Sequence, residues 1–158
     1  MPIEYIARSE KRAAERGTKA YEYTQNQDTP WTPLSKPLNE CRIGLISSGG
    51  LYLEDQPVFE DRDDVTFREI PADVDQADLL IHHVGYDHTD ADRDPNIVQP
   101  IDPLVRLAHD GTIKDLASPV FSFMGRIPSR LQLVNETLPV LVSRLDEMEV
   151  DACVLVGP

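Results

Sequence analysis

The chain is poor in the residues that would staple, export or anchor it. It has two cysteines among 158 residues, Cys41 and Cys153, far apart and beside expected strands. That spacing speaks for two buried, reduced thiols over a disulfide framework. Basic side chains are scarce too: 15 Lys and Arg face 28 Asp and Glu, and a net charge of −13 repels phosphate backbones and anionic lipid. Nucleic acid and membrane surfaces are set aside as partners on that ground. No apolar run approaches the ~20 residues that a bilayer span requires. The N-terminal MPIEYIARSEKRAAERG carries charge where a signal peptide needs an apolar segment, so a cytoplasmic protein is expected. Three catalytic or phosphate-binding signatures, GxGxxG, GxxxxGK[ST] and GxSxG, are also missing.

What is present suits a soluble globular fold: 41% of residues are apolar and 27% charged. One domain of this length buries roughly 68–70% of its unfolded surface without metal or disulfide support. Residues 1–38 read as an N-terminal helix from Ile3 to about Arg16, stopped at Gly17, followed by an arm with Pro30, Pro33 and Pro37 that Trp31 is expected to pin down. Residues 39–158 read as the α/β body. Its five expected strands are Arg42 to Ser47, Val65 to Ile70 as an exposed or edge strand, Leu79 to Val84, Val120 to Phe123, and Ala152 to Val156. A short helix from Asp102 to His109 is expected, with Asp102 as cap and Pro103 at its first position. Leu131, Val134, Leu138, Leu141, Leu145 and Met148 form an amphipathic stripe, in which Pro139 predicts a kink or a second helix start. Strands alternating with helical segments predict a doubly wound, mostly parallel five-stranded sheet, flavodoxin-like or Rossmann-like, in a single domain.

Open α/β sheets bind ligands beyond the carboxyl ends of their strands. Two segments of this chain should reach that edge. Ser47, Ser48, Gly49 and Gly50 follow the first strand and offer small side chains and backbone amides, either as a phosphate cradle or as a tight turn that admits a partner or small substrate. The acidic LYLEDQPVFEDRDD that follows speaks against the phosphate, and with it against a free-standing nucleotide binder. The second segment is His82-His83-Val84-Gly85-Tyr86-Asp87-His88, where adjacent histidines on a strand point to opposite faces and cannot easily share a metal. His83, Asp87 and His88 match no firm metal spacing, and a solvated acidic loop explains them as well. No metal is therefore assigned. Gly85 reads as a turn that aims Tyr86 and Asp87 into the crevice, with Asp94-Pro95-Asn96 fixing the loop through Asx-type bonds.

Taken in order, WTPLSKPL, RIGLISSGGLY, FREIP, HHVGYDHTDADRDPN, DPLVRLAHDGTIKDLA, FSFMGRIP and DACVLVGP resemble the selenoprotein B family of the glycine, sarcosine and betaine reductases and the related D-proline reductase. The resemblance runs from about residue 31 to residue 158. It implies an α/β subunit that works with other reductase subunits in the reductive cleavage of a carbon–nitrogen bond of a small amino-acid-like substrate. A selenocysteine or cysteine after the last strand would do the redox work, and a thioredoxin-like dithiol would restore it. Gly49, Gly50, His83, Tyr86, Asp87, Asp94, Asn96 and Gly125 match the family pattern, with His83, Tyr86 and Asp87 as catalytic candidates. Ser47, Ser48, Gly49, Gly50, Asp94, Asn96 and Gly125 are the ligand-binding candidates.

The family's redox residue is expected just past Pro158, and Cys153, inside the last strand, does not replace it. Two expectations follow. Either a selenocysteine codon beyond Pro158 truncates the chain as given, so that the disulfide or selenosulfide carrier lies outside it, or the chain is a redox-silent subunit that binds a ligand or partner.

Overall fold

The first strand, β1 (Arg42–Ser47), forms where the apolar run RIGLIS places it, and every other strand of the main sheet is arranged around it. The computed structural model describes residues 4–22, 25 and 27–157. The chain divides into two units, Met1–Pro33 and Leu34–Pro158. The first contains α1 (Tyr5–Glu15), which is capped at Arg16 and followed by the expected stop at Gly17. Ile3, the expected start of that helix, lies outside the described residues. Trp31 was expected to anchor the arm, but its side chain is 84% exposed and buries little apolar surface.

In the second unit, β1 is followed by the short β2 (Leu51–Tyr52), β3 (Arg68–Ile70), β4 (Leu80–Ile81), the helix α2 (Ile101–His109), β5 (Asp115–Leu116) and β6 (Val120–Ser122). Next come α3 (Arg130–Gln132), a wide π turn over Leu133–Thr137, α4 (Leu138–Glu147) and β7 (Ala152–Val156). The main sheet has five strands: β7 pairs with one side of β1 over its last five residues, while β5 and β6 pair in turn with the other side, all parallel. β3 joins antiparallel at the edge beyond β6, which agrees with its reading as an edge strand. The mostly parallel α/β class thus holds.

Alternation along β1 sends Ile43, Leu45 and Ser47 to one face and Gly44 and Ile46 to the other. The first face packs Leu45, Ile70 and Val120 against Ile101 and Leu104 of α2. The second packs Ile46 and Phe121 against Leu138, Leu141 and Leu145 of α4. Helices therefore cover both faces, which is the doubly wound arrangement.

Three local expectations are corrected. Leu79 to Val84 does not supply a strand of the main sheet: only Leu80–Ile81 is extended, paired antiparallel with β2 in a separate ribbon. The physical reason is burial, since Leu79 enters the core while Leu80 stays 41% exposed, so the run lacks the two apolar faces of a central strand. Asp102 lies in the first turn of α2 and is not its cap; Pro100 holds that place. The stripe on the last helix also shifts. Leu131 and Val134 are exposed, whereas Leu133 and Leu138 pack inward, because the π turn adds residues to one turn ahead of Pro139 and rotates the preceding segment outward. Pro139 itself sits in the first turn of α4, where its missing N–H costs nothing, so a second helix starting near it is what forms.

Candidate functional site at the carboxyl rim

Parallel pairing brings the carboxyl ends of β1, β6 and β7 to one rim, in register at Ser47↔Ser122 and Ser47↔Val156. The Ser48 N–H donates to Val156 O at 2.9 Å, so the loop after β1 begins directly beside the end of β7. A cleft of about 440 Å³ opens there. Ile46, Phe123, Leu133, Leu138 and Leu141 make its wall apolar, and Ser48, Gly125 and Gly157 stand at its polar margin.

The loop after β1 is built for close approach. Ser47 is buried; its hydroxyl donates to Val98 O at 2.5 Å and accepts from the Gly49 N–H at 3.0 Å. That side chain therefore shapes the loop and has no donor left for a ligand. A Cβ on Gly49 would come within 2.9 Å of Val98. Gly50 exchanges backbone bonds with Phe123 O and the His82 N–H, tying the β1 loop to β6 and to the ribbon. Ser48 is freer, because its hydroxyl meets Val156 O only at 3.5 Å, the limit of a hydrogen bond.

The two adjacent histidines diverge. His82 Nε2 pairs with Asp61 Oδ1 at 2.8 Å, while the His83 ring turns toward the rim and packs on Tyr86 with centroids 4.5 Å apart. The Gly85 N–H donates to His83 Nδ1 at 2.8 Å. The Tyr86 hydroxyl donates to Gly49 O at 2.9 Å, which links the two loops. Burial, with Asp92 adding to it, pushes the Tyr86 hydroxyl up to about 12, so it stays a donor. Burial first, then His88 and His82, hold His83 below the ordinary imidazole value. His83 is in this sense a neutral imidazole at the rim.

Three glycines from three loops make room for His83, Gly50 at its Cβ and Gly85 and Gly125 at its ring. A Cβ at Gly50, Gly85 or Gly125 would come within 3.2, 2.7 or 3.3 Å of His83 atoms, and at Gly125 the atom met is Nε2. A Cβ on Gly125 would also stand 2.7 Å from Ser48 O, which places Gly125 directly over the β1 loop.

The other candidates are not brought to the cleft. The exposed Asp87 carboxylate accepts from the Thr89 N–H and hydroxyl in an Asx turn that holds its pKa low, so it points back into its own loop. Asp94 caps the Pro95–Ile97 turn by accepting from the Asn96 N–H. Asn96 bonds Asp102 reciprocally, Nδ2 to the carboxylate and Oδ1 from its N–H, and so fixes the start of α2. Both act as loop-fixing residues. His88 pairs with Asp92 at 2.8 Å. Among the described residues no group of three His, Cys, Asp or Glu is arranged to hold a metal ion.

Cysteine placement departs from expectation at one position. Cys41 is fully buried at the amino end of β1, but Cys153 is exposed on edge strand β7. Its sulfur lies against Gly44, and burial of that atom raises the thiol pKa. Neither sulfur faces the rim. The sequence reading missed the cleft wall: Leu138 and Leu141 carried a signal only as a helix stripe, which reads as core whether or not the stripe extends past the sheet edge.

Fold and rim together define a class: a doubly wound α/β domain with a partly apolar cleft at the carboxyl ends of parallel strands. The chain belongs to the family described as Glycine/sarcosine/betaine reductase selenoprotein B, which it matches over residues 11–157. It is 36% identical over 125 residues to the D-proline reductase subunit gamma of Acetoanaerobium sticklandii, covering 79% of this chain and 52% of that protein. It is 28% identical over 101 residues to the sarcosine reductase complex component B subunit beta of Peptoclostridium acidaminophilum, covering 61% of this chain and 23% of that protein. The chain thus spans about half of the first relative and about a quarter of the second. No solved structure matches. Among the described residues no helix is long and apolar enough to cross a membrane.

Proposed function

We propose that this chain is the α/β part of a reductase subunit that takes part in cleaving the carbon–nitrogen bond of a small amino-acid-like substrate, in a complex with other reductase subunits. The observation that carries this reading is a partly apolar cleft bordered by Ser48, Gly125 and Gly157, with His83 Nε2 beside Gly125, on the edge where α/β sheets place chemistry. In the proposed reaction a selenol or thiol pair gives up two electrons and two protons, the carbon–nitrogen bond opens, the carbon gains a hydrogen in its place, and the nitrogen takes the other proton and leaves as the amine. The resulting selenosulfide or disulfide is returned by a thioredoxin-like dithiol. A selenocysteine or cysteine presented beside Gly157 completes the site. A chalcogen there would lie among neutral hydrogen-bond donors, which favour its anionic, nucleophilic form. A cytoplasmic location fits a dithiol-driven reaction.

The test is made on the complex isolated with this subunit, supplied with dithiothreitol and D-proline, sarcosine, glycine or betaine in turn. Amine release, or ring opening for D-proline, that depends on the dithiol and falls at least tenfold in His83→Ala supports the proposal. No product from any of the four overturns it. The positions of Cys41 and Cys153, both away from the rim, favour a second reading: a redox-silent subunit whose cleft binds a ligand or partner. Product release unchanged by His83→Ala in an intact complex would select that reading.

A further inference from the structure

We propose that His83 works as a neutral hydrogen-bond donor and not as a base, presenting Nε2–H to an anionic acceptor at the carboxyl rim. This rests on the reading of that rim as the ligand site. The geometry fixes the tautomer. A backbone N–H can only donate, so the 2.8 Å bond from Gly85 requires a lone pair on Nδ1 and leaves the ring proton on Nε2. Protonating the ring would destroy that bond. Nε2 is also the ring atom nearest Gly125, so the proton-bearing edge lies on the side of Gly125 and Ser48, at the margin of the cleft.

The surroundings hold this state in place. Tyr86 packs on the ring and is itself tied to Gly49 O, and Gly85 and Gly125 admit the imidazole at distances that any larger residue would close. The titratable and charged groups around it are Tyr86, His82 engaged by Asp61, and His88 engaged by Asp92. Each of those carboxylates has its own histidine partner, and none among the described bonds accepts from His83. A neutral imidazole N–H is too weak an acid to surrender its proton at neutral pH, so it can stabilise negative charge on an acceptor without quenching it. Ser48, whose hydroxyl is weakly engaged, adds a second neutral donor free to rotate. Gly85 and Tyr86 are on this account positioning residues: they set the direction of the ring and the site of its proton.

The acceptor chemistry is a small anion, either a carboxylate or a thiolate or selenolate. The experiment uses the full chain labelled with 15N-histidine, with His83 assigned by His83→Gln, and reads both ring nitrogens from about pH 5 to about pH 9. The expected result is one Nε2–H tautomer with a protonation midpoint below the ordinary 6.5. A proton on Nδ1, averaging of both tautomers, or a midpoint at or above 6.5 overturns the proposal. Acetate and hydrosulfide, both anionic at about pH 8, are then titrated separately. A saturable shift at His83 Nε2 with acetate assigns a carboxylate, one with hydrosulfide alone assigns a chalcogenolate, and no shift with either removes the acceptor role. Gly85→Ala, which pushes on the ring, should abolish the tautomer preference, and unchanged spectra in that variant would also overturn the assignment. None of these readouts involves turnover, so failure of the reductase reading and failure of the donor reading are told apart.

Discussion

Replacing Gly125 by alanine tests the rim at the point where backbone, loop and imidazole meet. Gly125 has φ +84°, in the left-handed region, and a Cβ there would stand 2.7 Å from the Ser48 carbonyl oxygen and 3.3 Å from His83 Nε2. Two penalties should combine. The left-handed conformation costs a non-glycine residue roughly 1–2 kcal/mol, and forcing an atom into a packed contact costs roughly 1–3 kcal/mol more. Gly111 supplies the control, because it has φ +70° and open space around its would-be Cβ, so Gly111→Ala should show the backbone penalty alone. For a chain of this size each kcal/mol lowers Tm by about 2–4 °C, so Gly111→Ala should lose roughly 2–8 °C and Gly125→Ala roughly 4–20 °C. Thermal melts by circular dichroism give the difference, and the His83 ring resonances give its location. Equal losses in the two variants, or an unmoved His83 in Gly125→Ala, would refute the claim that Gly125 is packed against the β1 loop and the imidazole.

The central strand predicts a larger and simpler effect: Leu45→Ala empties a fully buried site between β1 and α2 and should cost about 2–5 kcal/mol by urea unfolding. Stability should also fall with acid in two windows. His83 is held below 6.5 by burial and its histidine neighbours, so the unfolded chain binds the extra proton first, and its share of stability, whole above 6.5, declines as pH drops toward the folded value; His83→Gln should flatten that slope. Burial pushes Asp64 upward, but the Thr66 hydroxyl, the Glu60 and Thr66 N–H groups and Arg68 outweigh it and leave its pKa depressed. Its contribution is present above the unfolded 3.8 and is lost as pH falls through the folded value, a decline that Asp64→Asn should remove. Iodoacetamide on the native chain should label Cys153 slowly, because its thiol pKa is raised, and leave Cys41 untouched until denaturant is added; native labelling of Cys41, read by mass spectrometry, would contradict its burial.

How much of this was legible in the chain depends on the distance over which each feature is encoded. β1 and β7 are continuous apolar runs whose turn residues follow directly, so short windows were enough to place both. β2 and β5, two residues each, carry no pattern of their own and exist because β4 and β1 offer them partners. Leu79 to Val84 misled for the complementary reason: an apolar run records hydrophobicity but not the sheet that will use it, and Gly50 O takes the His82 N–H into a ribbon away from the main ladder. The site follows the same rule. His83 and Tyr86 stand out by residue type, and their loop is short enough for its turn chemistry to be read. Gly50, Gly85 and Gly125 also stand out, each as a turn in its own segment. Nothing local says that the three turns close on one histidine, since that follows only once parallel pairing has stacked β1 beside β6 and brought the ribbon over their ends. Asp94 and Asn96 invert the case, for their bonds to nearby backbone and to Asp102 are local and sequence-readable, and it is those bonds that occupy them as supports of the loop. A polar residue whose hydrogen bonds can all be assigned within six positions is thus better read as scaffold, and the ring at the rim, whose Nε2 proton has no such partner among the described residues, as the group left for a ligand.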